Sequence, residues 1–154
     1  MMSFYSEMVL NGSDLIELEA NKILKHLKNC NFEEFVADAN RALLGIDYTK
    51  YPLQDEASVR AAVQMFLCGM GLTALPEVHN AIGRSDLEFD LGQNHWVLEF
   101  KYAATEKDVD AKLKEALEQI EERHYGESSG KKLMRYALVF SGETMQIEYF
   151  AKMA

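Results

Sequence analysis

The sequence predicts an α/β domain preceded by helices. Apolar residues recur at helical spacing over residues 55–70 and again over 106–123. The runs between and after those two helices alternate in the manner of strands. From residue 55 the order is therefore helix, strand, strand, strand, helix, strand, strand (αβββαββ). A third observation bears on function. The most apolar strand, HWVLEFKYA, contains Glu99 and Lys101. Charges in such a run are costly unless they are paired, hydrogen-bonded or bound to a metal.

Each element has a local warrant. In SDLIELEANKILKHLKN, Ser13 is a plausible N-cap, and Leu15, Leu18, Ile23, Leu24 and Leu27 form a helical stripe. In NFEEFVADANRALL, Asn31 and Glu34 resemble a capping box, with Phe32, Phe35, Val36, Ala39 and Leu43 on the apolar face. Gly45 and Pro52 mark GIDYTKYPLQD as a connection. This divides the chain into a helical extension, residues 1–52, and a domain, residues 53–154. The helix over 55–70 carries Val59, Val63, Phe66, Leu67 and Met70 inward and stops at Gly71. A strand follows around LPEVHN, with Glu77 and His79 on one face and His79 read as structural. The next helix turns Val109, Leu113, Ala116, Leu117 and Ile120 inward, and the charges of EALEQIEER are expected on its exposed face. YGESSGKK is a turn-rich loop. LMRYALVFS and TMQIEYFA form the last two strands around Gly142-Glu143.

Composition excludes several classes. A hydrophobic fraction of 48% is too high for a disordered chain. No apolar run approaches the ~20 residues that span a bilayer. The first residues lack the basic and apolar regions of a signal peptide. Cys30 and Cys68 match no metal spacing and read as reduced, buried thiols of a cytoplasmic protein. His26, His95 and His124 sit apart, so no zinc site is expected. The net charge of −9 speaks against a broad basic footprint on nucleic acid, although bound cations can reverse the field at an acidic site.

The charged hairpin, GRSDLEFDLGQNHWVLEFKYA, makes a geometric demand. Strand side chains alternate faces. Asp86, Glu88 and Asp90 share one face of the first arm, and Val97, Glu99 and Lys101 share one face of the second. A two-residue loop pairs even with odd positions and sets Asp86 opposite Glu99 or Lys101. A three-residue loop separates the two sets unless a bulge restores the phase. Glu88 and Asp90 are expected in solvent. Two carboxylates about 5 Å apart across strands repel unless protonated or shared with a cation. Mg²⁺ takes such oxygens together with water and substrate phosphate, and the Phe100 carbonyl is a further candidate ligand. Lys101 would then orient or deprotonate an attacking water, or stabilise charge developing at phosphorus.

Asp86 followed by Glu99-Phe100-Lys101 resembles the D…ExK core of the PD-(D/E)XK nuclease superfamily. GRSD with the strand LEFKY is similar, more narrowly, to nuclease-like domains found C-terminal to AAA-ATPase-like domains in bacteria. The resemblance covers roughly residues 30 to 140. Glu56 matches the acidic residue that opens the helix before the sheet, and Gln119 and Tyr125 match the Gln and Tyr that follow the ExK strand. NFEEFVADANRALLGIDY resembles the helical lead-in, but no GxxxxGK[ST] motif precedes it, so the sequence reads as the nuclease-like half alone. The Pro that usually precedes the Asp is replaced by Ser85. The resemblance implies a restriction-endonuclease-like fold, a mixed central sheet flanked by helices. It implies a metal-dependent nuclease, in our reading acting on DNA. Asp86, Glu99, Phe100 and Glu56 would hold Mg²⁺ or Mn²⁺. Lys101 would serve the water, and Gln119 would orient the lysine or the substrate. Arg84 and Tyr125 are candidate phosphate contacts. So are Lys131 and Lys132, which with Arg135 form the compact basic cluster. The acidic balance suggests delivery by a protein partner or by dimerisation, and Phe4, Tyr5, Met8 and Val9 are candidates either for a dimer contact or for packing on the domain. The alternative is a catalytically silent module of the same fold that binds a protein. A small-molecule-binding domain is disfavoured by the lack of a Gly-rich phosphate loop.

Overall fold

The structure is a computed structural model that describes residues 12–79 and 83–153. Three helices come first: α1 (Gly12–Lys28), α2 (Phe32–Leu44) and α3 (Glu56–Gly69). Then come β1 (Leu75–Pro76), β2 (Leu87–Leu91), β3 (Asn94–Ala103), α4 (Val109–Glu122), β4 (Lys132–Ser141) and β5 (Gln146–Lys152). α1 already includes Ser13, so that residue is not its N-cap. The Asn31 side chain does cap α2, accepting from the Glu34 N–H, and Asp55 and Ser58 form a reciprocal box at the start of α3. The proposed contacts of Phe4, Tyr5, Met8 and Val9 lie outside the described residues.

The five strands lie in the order β1-β2-β3-β4-β5. All neighbours are antiparallel except β3 and β4, which are parallel and joined by α4, as a parallel pair requires a crossover. The sheet is therefore mixed, with helices on both faces. On one face Leu87, Phe89, Trp96, Leu98, Phe100, Met134, Tyr136 and Leu138 pack against α2 and α3. On the other, Val97 and Ala137 pack against Ala116 and Ile120 of α4 and against Tyr125. The first face reaches across the 52/53 boundary. Phe32 of α2 stacks on Tyr136 of β4 with ring centroids 3.8 Å apart, and Phe35 is fully buried.

The strand expected around LPEVHN is only Leu75–Pro76. Glu77 has a φ of 52°, which interrupts the regular strand. The pairing direction survives it, through the Glu77 N–H to Asp86 carbonyl bond and the His79↔Arg84 bridge. β5 starts at Gln146 rather than Thr144, because Met145 takes a φ of 58° within the turn. Its outer edge is blunted by Asn40. The Asn40 amide donates to the Ile147 carbonyl and accepts from the Ile147 N–H, at 3.0 and 2.8 Å. Cys30 and Cys68 are unpaired, as expected, but both are exposed rather than buried. Each lies on a helical rim, Cys30 just past α1 and Cys68 on the outer side of α3. No described helix is long and apolar enough to cross a membrane.

If α2 belongs to the same core as the sheet, Phe32→Ala lowers the unfolding free energy by about 3–5 kcal/mol in chemical denaturation. A loss under about 1 kcal/mol would place α2 outside the cooperative unit.

Candidate active site

The hairpin meets its geometric demand. Leu91 pairs with Asn94, leaving a two-residue turn of Gly92 and Gln93. Gly92 has a φ of 61°, the conformation the first position of such a turn needs and glycine tolerates. The register then runs back through Leu87↔Leu98, and its next step sets Asp86 opposite Glu99. β2 ends there. Beyond Leu98 the edge of β3 is met by a side chain instead of a strand: the Phe100 N–H donates to Asp86 Oδ2 at 2.8 Å. The N–H and carbonyl of one strand residue face the same neighbour. The Phe100 carbonyl thus lies on the side of Asp86, where it can serve as a ligand.

Glu99 is 1% exposed and Lys101 6%. The Lys101 ammonium donates to Gln119 Oε1 at 3.1 Å and pairs with Glu115 at 3.3 Å and Glu56 at 3.9 Å. Gln119 in turn donates to the Tyr125 hydroxyl at 3.2 Å. Glu115 and Gln119 stand four apart on α4, so both reach the same lysine. Glu115 stays on the exposed face expected for EALEQIEER, whereas Gln119 is half-buried. Tyr125 is fully buried, beneath Gln119 rather than at the mouth of the site.

Electrostatics follow from burial. Glu99 is pushed up to about 8, first by its burial and then by the charge of Asp86. Burial also raises Asp86, against the Phe100 N–H and the charges of Arg60, Lys101 and Arg84. Glu56 is raised chiefly by burial, with Asp86 and Glu115 adding to it and Lys101 opposing. Burial acts to lower Lys101, yet Glu56, Glu115 and Glu99 together carry it above its ordinary value. The lysine therefore stays cationic near neutrality.

A hard divalent cation fits this donor set. Glu99 Oε2 is buried without a hydrogen-bond partner. It stands beside a second carboxylate that repels it, which is the state a cation relieves. Among the described residues no three His, Cys, Asp or Glu side chains converge into a complete metal site. Two carboxylates and a carbonyl suffice for an ion that keeps several waters.

The basic cluster lies elsewhere. Lys132 pairs with Asn94 and Lys101 with Val139, so Lys132 is seven residues, or roughly 23 Å, down the sheet from Lys101. Lys131 is held by Asp90 at 3.3 Å and Arg135 by Glu127 at 3.6 Å. Glu88 corrects another expectation. It is 7% exposed and accepts from Ser85 Oγ at 2.6 Å, with His95 Nε2 at 2.7 Å. His95 Nδ1 also lies 2.6 Å from Asp90, which does remain exposed. The loop after α4 covers this spot, where Gly126 leaves room for Val97 and His95.

Arg60, not singled out from the sequence, also stands near the site. It lies one turn after Glu56 on α3 and donates to Glu77 at 3.1 Å. Arg84 pairs with the same Glu77 oxygen at 3.3 Å. The spacing of four between Glu56 and Arg60 was the available signal.

Residues 54–150 match the family model described as the PD-(D/E)XK nuclease superfamily. The match begins after the helical lead-in, so it does not extend to an ATPase-linked context. No curated protein matches the chain.

The raised Glu99 has a thermodynamic consequence without cation. The folded chain holds a proton on Glu99 that the unfolded chain releases above its ordinary 4.5. Stability thus falls as pH rises from 4.5 through about 8. With a chelator present, Glu99→Gln flattens the fall of Tm over that window. An unchanged Tm–pH profile would contradict the shift.

Proposed function

The chain belongs to the PD-(D/E)XK nuclease superfamily, and on that premise we propose that it is a metal-dependent nuclease that hydrolyses phosphodiester bonds in DNA. Asp86, Glu99 and the Phe100 carbonyl, supported by Glu56, would hold Mg²⁺ or Mn²⁺. A hard cation bound there supplies Lewis acidity at the phosphodiester. The observation that carries the proposal is the Lys101 ammonium, buried on the same strand face as Glu99 and tethered by Gln119.

The residues divide the work. Lys101 is cationic, so it acts as a hydrogen-bond donor rather than a base. It orients the water that attacks phosphorus and stabilises the negative charge that gathers on the phosphoryl oxygens. The attack forms one P–O bond and breaks the bond to the departing sugar oxygen; the attacking water loses its proton to solvent, and the sugar oxygen takes a proton from solvent. Gln119 Oε1 accepts a hydrogen bond from the Lys101 ammonium and holds it in line. Tyr125 receives the Gln119 amide and fixes which way that amide faces. Glu115 and Glu56 restrain the lysine from the helix side.

One observation favours a second reading, a silent module that docks on a protein. Met65 is 75% exposed and Tyr51 68%, and apolar hollows on either side of Met65 join Ile23 and Phe66 to Ile46 and Ala62. A partner or a second copy of the chain would suit that surface.

Cleavage of plasmid, linear single-stranded DNA and RNA with Mg²⁺ or Mn²⁺ separates the two. The nuclease reading expects Lys101→Ala to lower the rate by on the order of 10²–10³-fold. Gln119→Ala should lower it about tenfold with the Tm retained. Equal rates for wild type and Lys101→Ala would exclude this lysine from the chemistry. No cleavage of any polymer would favour the silent module.

A further inference from the structure

An acidic chain that works on a polyanion needs a local cation near its site, and the Lys131–Lys132–Arg135 cluster is at the wrong end of the sheet. The fold supplies a different pair. Arg60, from α3, and Arg84, from the segment before β2, converge on a single oxygen of Glu77 at 3.1 and 3.3 Å. One carboxylate cannot neutralise two guanidiniums, so the trio keeps a positive charge. Each contact uses one terminal nitrogen of a group that carries five N–H donors. The Arg60 Nε is buried without a partner, and the Arg84 side chain is 56% exposed. Both arginines act on the Asp86 carboxylate, which places their charge beside the D…ExK residues. A guanidinium fork matches phosphate oxygens in geometry as well as charge.

We propose that Arg60 and Arg84 form a subsite for a backbone phosphate of the nucleic acid, next to the phosphate that is cleaved, with Glu77 holding both guanidiniums in place. This rests on the nuclease reading, and it names how the same site grips its polymer. Glu77 has two effects in it. It orders the arginines before substrate arrives, and it competes with the phosphate for their donors. Removing the carboxylate therefore tightens binding, whereas a purely structural Glu77 would weaken it or leave it unchanged.

The test is fluorescence anisotropy with a short fluorescein-labelled DNA duplex. It uses full-length Lys101→Ala protein with Ca²⁺, over a series of salt concentrations. Arg84→Gln and Arg60→Gln should each weaken binding by about tenfold. Each should also reduce the slope of log affinity against log salt by about one. Glu77→Gln should tighten binding, and Glu118→Gln, on the outer face of α4, should not. Arg84 is exposed, so its variant carries the test even if Arg60→Gln fails to fold by thermal melt. Unchanged affinity and slope in Arg84→Gln, or no binding by the parent protein, would overturn the subsite. Wild-type cleavage, measured alongside, separates the two readings. Cleavage with an unchanged slope rejects the subsite alone. A reduced slope in a chain that never cleaves rejects the nuclease and keeps the subsite.

Discussion

Asp86 and Glu99 stand side by side where the hairpin opens, one step beyond the last β2–β3 pair, and Glu99 is 1% exposed with one carboxylate oxygen unpartnered. Two carboxylates in that position destabilise the domain unless one is protonated or a cation lies between them. Much of the surrounding structure serves this pair. The two-residue turn at Gly92 and Gln93 sets the register that brings them together. The end of β2 at Leu87 frees the edge of β3, so that Asp86 takes the Phe100 N–H that a strand would otherwise claim. Lys101, two residues along the same face, brings a positive charge that Gln119, Glu115 and Glu56 tether in place.

The layers around the sheet follow from the same requirement. α4 must cross over β3 and β4 to join a parallel pair, and that crossover brings Glu115 and Gln119 over the lysine. α3 lies on the opposite face with its core residues, yet its first two turns, carrying Glu56 and then Arg60, reach the edge where the hairpin opens. The site is thus assembled from β3, the start of α3, the middle of α4 and the bend just before β2 that carries Asp86.

The hairpin was legible because its signals are local. Period-two alternation, a Gly-containing two-residue turn and charges inside an apolar strand fix which side chains share a face. The order of elements from residue 55 was legible for the same reason. What was missed depends on tertiary cover. Glu88 alternates outward on β2, but the loop after α4 closes over that face, and Ser85 and His95 satisfy the buried carboxylate. Lys131, Lys132 and Arg135 are close in sequence but lie at the far end of the strands, a separation that only the β3–β4 pairing reveals. Arg60 reads as an ordinary polar position of a helix until Glu77, on a different element, meets it. Cys68 follows helical spacing but falls on the outer side of α3, and Cys30 lies in the turn just past α1, with a φ of 56°.

The most direct test of the proposed cation site is isothermal calorimetry of Mn²⁺ binding near neutral pH, in two buffers of different ionisation heat. Glu99, raised to about 8, holds a proton there in the cation-free protein. Binding should therefore release a proton, seen as an enthalpy that depends on the buffer. Glu99→Gln should remove both the binding and the release. Binding of equal strength in Glu99→Gln, or binding with no proton released, would contradict the central role given to the Asp86–Glu99 pair.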